Sequence, residues 1–132
     1  MPVKLSYLGD GGILVVSRGD VKGSEIKEVN DAIYESPEKT RSILYQICDF
    51  RSAEIVDISQ EEVRQLAMQD KIAFAINPAM RIAIVVKTDL GYGLSRMWET
   101  LAHQSRLETM VFKDLKEAKR WIRESLSGKD KK

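Results

Sequence analysis

Short apolar runs alternate with longer amphipathic stretches along this chain of 132 residues. The run at 43–48 (ILYQIC) is almost continuously apolar and rich in β-branched and aromatic residues, a pattern typical of a strand covered on both faces. The run at 81–86 (RIAIVV) has the same character. An alternating stretch at 3–8 and a run at 13–16 flank a glycine-rich turn, which predicts a β-hairpin. A short strand is predicted at 109–112.

Apolar residues recur at helical spacing in four stretches, at 26–33, from 63 onward, at 94–102 and at 115–126. Ser59 with Glu62 predicts a capping box at the start of the second helix, which ends before Asn77. Asp114 is predicted to cap the last helix. The order β-β-α-β-α-β-α-β-α predicts an α/β fold, with a mixed, mostly parallel sheet of about five strands and about four helices.

Three boundaries follow from local signals. Either Asp20 or Ser24 is a suitable cap for the first helix, and Pro37 is expected to end it. The central strand is predicted to end at Asp49 and to be followed by a polar loop. The glycine-rich segment 89–93 is predicted to be a loop before the third helix.

Composition narrows the class of protein. The length suits one domain, predicted at 1–127, with a charged tail at 128–132. A net charge of +1 without a basic stripe gives no indication of nucleic-acid binding. The single cysteine suits a reducing compartment, and no run has the length of a membrane span or the pattern of a signal peptide. We therefore expect a soluble cytoplasmic protein without a membrane span.

Candidate binding residues lie where parallel strands meet the next helices, because sites form at the carboxyl ends of such strands. Asp49 and Arg51 either pair with each other or contact a ligand, and the salt bridge is favoured. Asp57 has the same two interpretations, with Ser59 beside it. Three further candidates, Gly91, Tyr92 and Gly93, precede a helix where backbone N–H groups can approach an anion, although a tight turn also explains these glycines.

Residues for catalysis are scarce. Cys48 lies inside the central apolar run and is best explained as a small buried hydrophobic residue. His103 is the only histidine, so a pair of histidine metal ligands or a Ser-His-Asp triad is not available within one chain. We predict no catalytic residue, no metal site and no cofactor, which favours a non-enzymatic role. An enzyme that uses Asp49, Arg51 or Asp57 remains a less favoured hypothesis.

Large apolar side chains on helices suggest self-association. Core packing is the first interpretation of Trp98, and the segment 72–76 is apolar almost all round. Phe74, Met97 and Trp98 are nonetheless candidate interface residues, since some of this apolar surface is expected to reach the exterior. The sequence therefore predicts a homodimer.

The order of elements and the central stretch resemble the STAS domain and its bacterial SpoIIAA-like relatives. In this family an aspartate or asparagine ends the central strand, and a second aspartate follows a short loop and precedes the next helix. The spacing from Asp49 to Asp57 is similar, and Ser59 follows closely. The later likeness covers Gly93 to Met97, Val111 to Asp114, Glu117, Ala118 and Trp121. In the anti-sigma-factor antagonists of the family, the serine directly after the second aspartate accepts phosphate. That position is Ile58 here, so phosphorylation at the next position, Ser59, is not favoured.

The resemblance implies a non-enzymatic regulatory or protein-interaction domain that docks a partner around the segment 49–59. The alternative is a carrier for a lipid-like or anionic small ligand, with a pocket like that of CRAL-TRIO domains between the helices that carry Phe74 and Trp98. A carrier needs an apolar cavity, whereas a docking module needs a filled core and an exposed patch.

Overall fold

The computed structural model describes residues 2–102 and 109–127. In these residues five strands and five helices follow one another along the chain. The strands are β1 (Val3–Tyr7), β2 (Gly12–Lys22), β3 (Tyr45–Asp57), β4 (Arg81–Val85) and β5 (Thr109–Phe112). The helices are α1 (Gly23–Ile33), α2 (Pro37–Ser42), α3 (Gln60–Ile76), α4 (Asp89–Ala102) and α5 (Leu115–Leu126). The predicted α/β class is confirmed, and the short α2 is added to the four expected helices.

One mixed sheet has the strand order β1-β2-β3-β4-β5. β1 is antiparallel to β2, as expected for the opening hairpin, and the other neighbouring pairs are parallel. Right-handed crossovers that always step to the next strand put their helices on the same face of a sheet. The packing agrees, since α1, α3 and α4 contribute to one core cluster and α5 to a second.

β3 lies in the middle of the sheet and is covered on both faces, as predicted. Tyr45 and Ile47 pack with Ala118 and Ile122 of α5. Cys48, which points to the opposite face, packs against the larger cluster formed with α1, α3 and α4. The alternation of side chains along a strand explains how one apolar run supplies both cores.

The prediction that the central strand ends at Asp49 is wrong, because β3 continues to Asp57. The reason is β2, which is also long and pairs with β3 as far as Lys22 opposite Asp57. β4 pairs only with residues 45–49 of β3, so the rest of β3 is an edge strand. Its side chains alternate in part, since Arg51, Ser52 and Glu54 are exposed whereas Phe50, Ala53 and Val56 are half-buried. Register shifts and the positive φ of Gly19, 63°, interrupt this part of the pairing.

Two helix boundaries near the first crossover differ from the prediction. α1 begins after Lys22, whose backbone N–H donates to the Glu25 carboxylate at 2.9 Å, so neither Asp20 nor Ser24 caps this helix. Pro37 was expected to end the first helix, but α1 ends at Ile33, and Pro37 is the first residue of α2 with Ser36 as its cap. Proline suits that position because its missing N–H would have no partner inside the helix.

The segment 89–93 is the first turn and a half of α4 and not a loop. Neither Gly91 nor Gly93 has a positive φ, so helical backbone geometry is available to both. The Thr88 hydroxyl accepts a hydrogen bond from the Gly91 N–H at 3.0 Å. This contact satisfies one of the free N–H groups at the helix start and stabilises a helix that glycine alone would weaken.

Candidate functional site

A cleft of about 110 Å³ lies between the sheet and the layer formed by α1, α3 and α4. We call it the cleft throughout. Most of its walls are apolar side chains, among them Phe50, Val56, Leu66, Ile82, Ile84 and Leu94. The part of β3 that extends past β4 supplies one wall. The cleft therefore depends on the long β2–β3 pairing that the sequence did not predict.

A buried carboxylate, Asp70 of α3, lines the cleft and is 5% exposed. The Tyr34 hydroxyl donates a hydrogen bond of 2.6 Å to its Oδ1, and the Trp98 Nε1–H donates one of 2.7 Å to its Oδ2. Both donors are neutral groups. They orient the carboxylate and connect α3 to the end of α1 and to α4.

Two amide side chains complete this group. Gln46 of β3 donates from Nε2 to the Tyr34 hydroxyl oxygen at 2.8 Å, and Asn30 of α1 donates from Nδ2 to Asp70 Oδ1 at 3.5 Å. We call these five residues the Asp70 cluster: Asn30, Tyr34, Gln46, Asp70 and Trp98. The cluster joins three helices to the central strand, so it holds the polar end of the cleft in one arrangement.

Burial controls the ionisation of the cluster. It raises the pKa of Asp70 to about 6, although the hydrogen bonds from Tyr34 and Trp98 act in the opposite direction. The pKa of Tyr34 is raised well above its ordinary value, first by burial and then by the charge of Asp70. Burial, with the charges of Asp70 and Asp49, raises the pKa of the Cys48 thiol to about 12. Near neutral pH the carboxylate is therefore mainly ionised while the phenol and the thiol stay neutral.

The rim of the cleft includes the start of α4. Lys87 and Thr88 are exposed there, and Gly91 also lines the cleft. Tyr92 packs instead under the Lys113 ammonium, which lies 5.5 Å from its ring centroid. Gly93 is exposed, with nothing within 4 Å of the position that a Cβ would occupy. Of the three candidates in this segment, only Gly91 lines the cleft.

Asp49 and Arg51 form the ion pair that the salt-bridge interpretation predicted. Arg51 donates from Nε and from Nη2 to the two oxygens of Asp49, each at 2.9 Å. Burial opposes ionisation of Asp49, but the guanidinium and backbone N–H of Arg51 outweigh it and lower the pKa of the carboxyl. Neither residue lines the cleft.

The other candidates on this segment lie at the end of β3. Asp57 is exposed there. The Ser59 hydroxyl accepts a hydrogen bond of 3.1 Å from the Glu62 N–H, and the Glu62 carboxylate accepts one of 2.9 Å from the Ser59 N–H. The predicted capping box is confirmed, and the hydroxyl of Ser59 is engaged in it.

Two of the candidate interface residues, Phe74 and Trp98, do not reach the surface of the chain. Phe74 is 1% exposed and Trp98 is 8% exposed, while Met97 is half-buried. The reason is the packing of α3 against α1, α2 and α4, which covers the apolar end of α3 within the chain. The carrier hypothesis expected a pocket between α3 and α4. The cleft lies between the sheet and α1, α3 and α4, with Trp98 on its wall and Phe74 outside it.

Sequence reasoning missed the most informative residue, Asp70. The buried face of α3 consists of Val63, Leu66, Ala67, Asp70, Ala73 and Phe74. A carboxylate in the middle of such a stripe is a signal that the sequence contained, since charged side chains rarely occupy core positions unpaired. Tyr34 carried no comparable signal, because it lies just past the end of α1.

Two general features concern only the described residues. Within 2–102 and 109–127, no group of three or more His, Cys, Asp or Glu side chains is close enough to hold a metal ion. No helix in those ranges combines the length and apolar character needed to cross a membrane. His103 and the tail at 128–132 lie outside the described residues.

Comparison with known proteins gives a likeness in fold. No protein-family model matches the sequence, and no curated protein matches it either. A solved structure does match: an uncharacterised protein of the DUF3478 family with a SpoIIAA-like fold, from Shewanella loihica PV-4. The likeness covers 91% of each chain, with a TM-score of 0.57 and 15% sequence identity. The chain therefore has a SpoIIAA-like fold, as its resemblance to that group implied.

Proposed function

We propose that this protein is a non-enzymatic binding domain that takes a small, largely apolar molecule into the cleft. The observation that carries the proposal is the cleft itself, which combines apolar walls with two buried polar side chains, Gln46 and Asp70. Small-molecule sites in proteins have this composition, in which a few polar groups fix the orientation of the ligand. The proposal favours the carrier hypothesis over the docking hypothesis.

The size of the cleft limits the ligand. An apolar cavity of about 150 Å³ holds benzene. A cleft of about 110 Å³ is therefore suited to a group of about five non-hydrogen atoms. A longer ligand would leave its remaining part at the rim, beside Lys87 and Thr88.

A non-enzymatic role rests on the chemistry beside the cleft. Cys48 lines the cleft and carries a thiol, a group that can act as a nucleophile in catalysis. Burial raises the pKa of this thiol to about 12. The thiol is therefore protonated at neutral pH, whereas the thiolate is the reactive form. Binding without covalent chemistry is the simplest use of such a site.

Docking through the segment 49–59 has weaker support. The Asp49 carboxylate is already paired with Arg51, and Ser59 already caps α3. We retain the homodimer as a secondary proposal, with exposed apolar side chains of α3, Met68 and Ile72, in place of the two buried aromatics. The native mass of the protein would test it. A cytoplasmic location is likewise proposed, on the single cysteine alone.

The test is a screen of small organic compounds by chemical-shift changes in an NMR spectrum. We expect compounds of suitable size to shift amide signals of Cys48, Val86 and Leu94, all on the cleft wall. Ser95→Trp should abolish these shifts by filling the cleft, since Ser95 also lines it. Thr100→Trp, at an exposed position of the same helix, is the matched control. Shifts that persist unchanged in Ser95→Trp would contradict the proposal.

A further inference from the structure

Two helical carboxylates, Glu99 and Asp70, are buried in the part of the chain that the structure describes, and they differ in whether a cation pairs with them. Glu99 is 7% exposed and is compensated by a cation, since the Arg96 Nε lies 3.2 Å from its Oε1. The Thr109 hydroxyl also donates to its Oε2 at 3.0 Å. Asp70 is 5% exposed, and no Lys, Arg or His among residues 2–102 and 109–127 forms an ion pair with it.

An uncompensated carboxylate in an apolar cleft is costly. Buried charges in proteins are normally paired with an opposite charge, because burial removes their hydration. The hydrogen bonds from Tyr34 and Trp98 orient Asp70 but add no positive charge. Lys87 is the cationic side chain on the cleft rim, where it is exposed and makes no ion pair within the described part of the chain. The cleft thus has a place for a cation.

The polar groups around Asp70 also leave acceptors, rather than donors, available to a ligand. The Gln46 amide nitrogen donates to the Tyr34 hydroxyl and to Met80 Sδ, and the Asn30 amide nitrogen donates to Asp70 and to Gln69 Oε1. The carbonyl oxygens of Gln46 and Asn30 accept no hydrogen bond from the described residues. Both side chains line the cleft, together with Asp70. The cluster therefore offers two amide oxygens and a carboxylate as acceptors. An ammonium group has three N–H donors and no acceptor, which matches such a set.

We propose that the ligand of the cleft is a small primary amine, bound as an alkylammonium ion with its nitrogen against Asp70 and its alkyl group against Leu66, Ile82 and Ile84. This inference rests on the proposed binding function and specifies the ligand class. The carboxylate supplies the charge, the two amide oxygens supply further acceptors, and the apolar walls cover the carbon chain.

The experiment compares three probes with the same carbon chain: n-butylamine, 1-butanol and butyrate. Dissociation constants are measured by NMR titration of the whole chain at about pH 7.5, where the amine is protonated and Asp70 is ionised. We expect n-butylamine to bind at least about tenfold more tightly than 1-butanol, because the ammonium adds an opposite charge to its hydrogen bond with the Asp70 carboxylate, whereas the hydroxyl is neutral. Butyrate should bind most weakly.

Asp70→Asn removes the charge and retains the shape. In this variant the dissociation constants of n-butylamine and 1-butanol should become similar, and cleft signals that still shift with 1-butanol report that the cleft is intact. The wild-type protein gives a second readout that needs no variant. Lowering the pH from about 7.5 to about 5 should weaken n-butylamine binding about tenfold, as Asp70 becomes protonated. Tyr34 and Cys48 remain neutral over this range, because burial raises the pKa of each, so they do not produce the change.

The outcomes separate the two proposals. Binding of butyrate or 1-butanol as tight as that of n-butylamine overturns the amine assignment and leaves the binding function standing. An amine preference that survives in Asp70→Asn also overturns it. Absence of any shift at the cleft signals with all three probes overturns both proposals.

Discussion

Asp70→Asn should change how stability depends on pH, and this prediction is independent of any ligand. In the folded chain, burial raises the pKa of the Asp70 carboxyl from its ordinary value of 3.8 to about 6. Between these values the folded protein binds more protons than the unfolded chain. The free energy of unfolding of the wild type must therefore fall as the pH rises through this range. Asparagine does not titrate, so the variant lacks this contribution.

The magnitude follows from the two pKa values. One pKa unit corresponds to about 1.4 kcal/mol. For a carboxyl that titrates near 3.8 when unfolded and near 6 when folded, the loss between about pH 5 and about pH 7.5 is about 1.4 kcal/mol. The variant also loses an acceptor for Tyr34 or Trp98, but that cost is the same at both pH values. The difference between the two proteins therefore isolates the charge.

The assay is urea unfolding of both proteins at several pH values, followed by circular dichroism. We expect the wild type to lose about 1.4 kcal/mol relative to Asp70→Asn across this range, with similar m-values. All other carboxylates are common to both proteins, so they cancel in the comparison. Parallel stability curves over this range would refute the reasoning, because they would mean that the carboxyl is not buried as the structure describes.

Three further predictions concern the fold and can be checked by the same unfolding assay. Ser59→Ala should cost about 1 kcal/mol through loss of the cap, whereas Ser59→Asp should keep it. Gly12→Ala should cost more than about 2 kcal/mol, because a Cβ there would lie 2.0 Å from the Tyr45 ring, while Gly9→Ala has nothing within 4 Å and serves as control. Ser17→Ala should stabilise the protein by up to about 1 kcal/mol, since the buried Ser17 hydroxyl has no partner in the described structure. These predictions would be contradicted if Ser59→Ala and Ser59→Asp had the same stability, or if Gly12→Ala and Gly9→Ala did. A loss of stability in Ser17→Ala would contradict the third.

The parts of the fold that the sequence predicted are those with a local cause. The central strand was predicted from a continuous apolar run, and the start of α3 from the reciprocal contacts of Ser59 and Glu62. These signals hold because each depends on residues close together in the chain.

The parts that were missed depend on distant partners. The polar half of β3 forms a strand because β2 pairs with it over its whole length, which no pattern within 51–57 indicates. The first turn and a half of α4 is helical although it contains two glycines, since the Thr88 hydroxyl satisfies one of its free N–H groups. Tertiary pairing and capping outweighed local propensity in both places.

The candidate site could be predicted only in part from the sequence. A pocket between α3 and α4 was anticipated. Four of the candidate binding residues were chosen near the expected end of a strand that proved to continue, and of the three at the start of α4 only Gly91 lines the cleft. Asp70 and Tyr34 are separated by 36 positions and meet only in the folded chain. Their contact depends on how α1 packs against α3, and a single sequence does not specify that packing.

The central claim is that the cleft binds a small amine, and a crystal structure of the protein with n-butylamine tests it most directly. We expect the amine nitrogen about 3 Å from an Asp70 carboxylate oxygen, with the carbon chain against Ile82 and Ile84. Amine bound elsewhere, or a cleft that holds the carbon chain with its nitrogen away from Asp70, would contradict it.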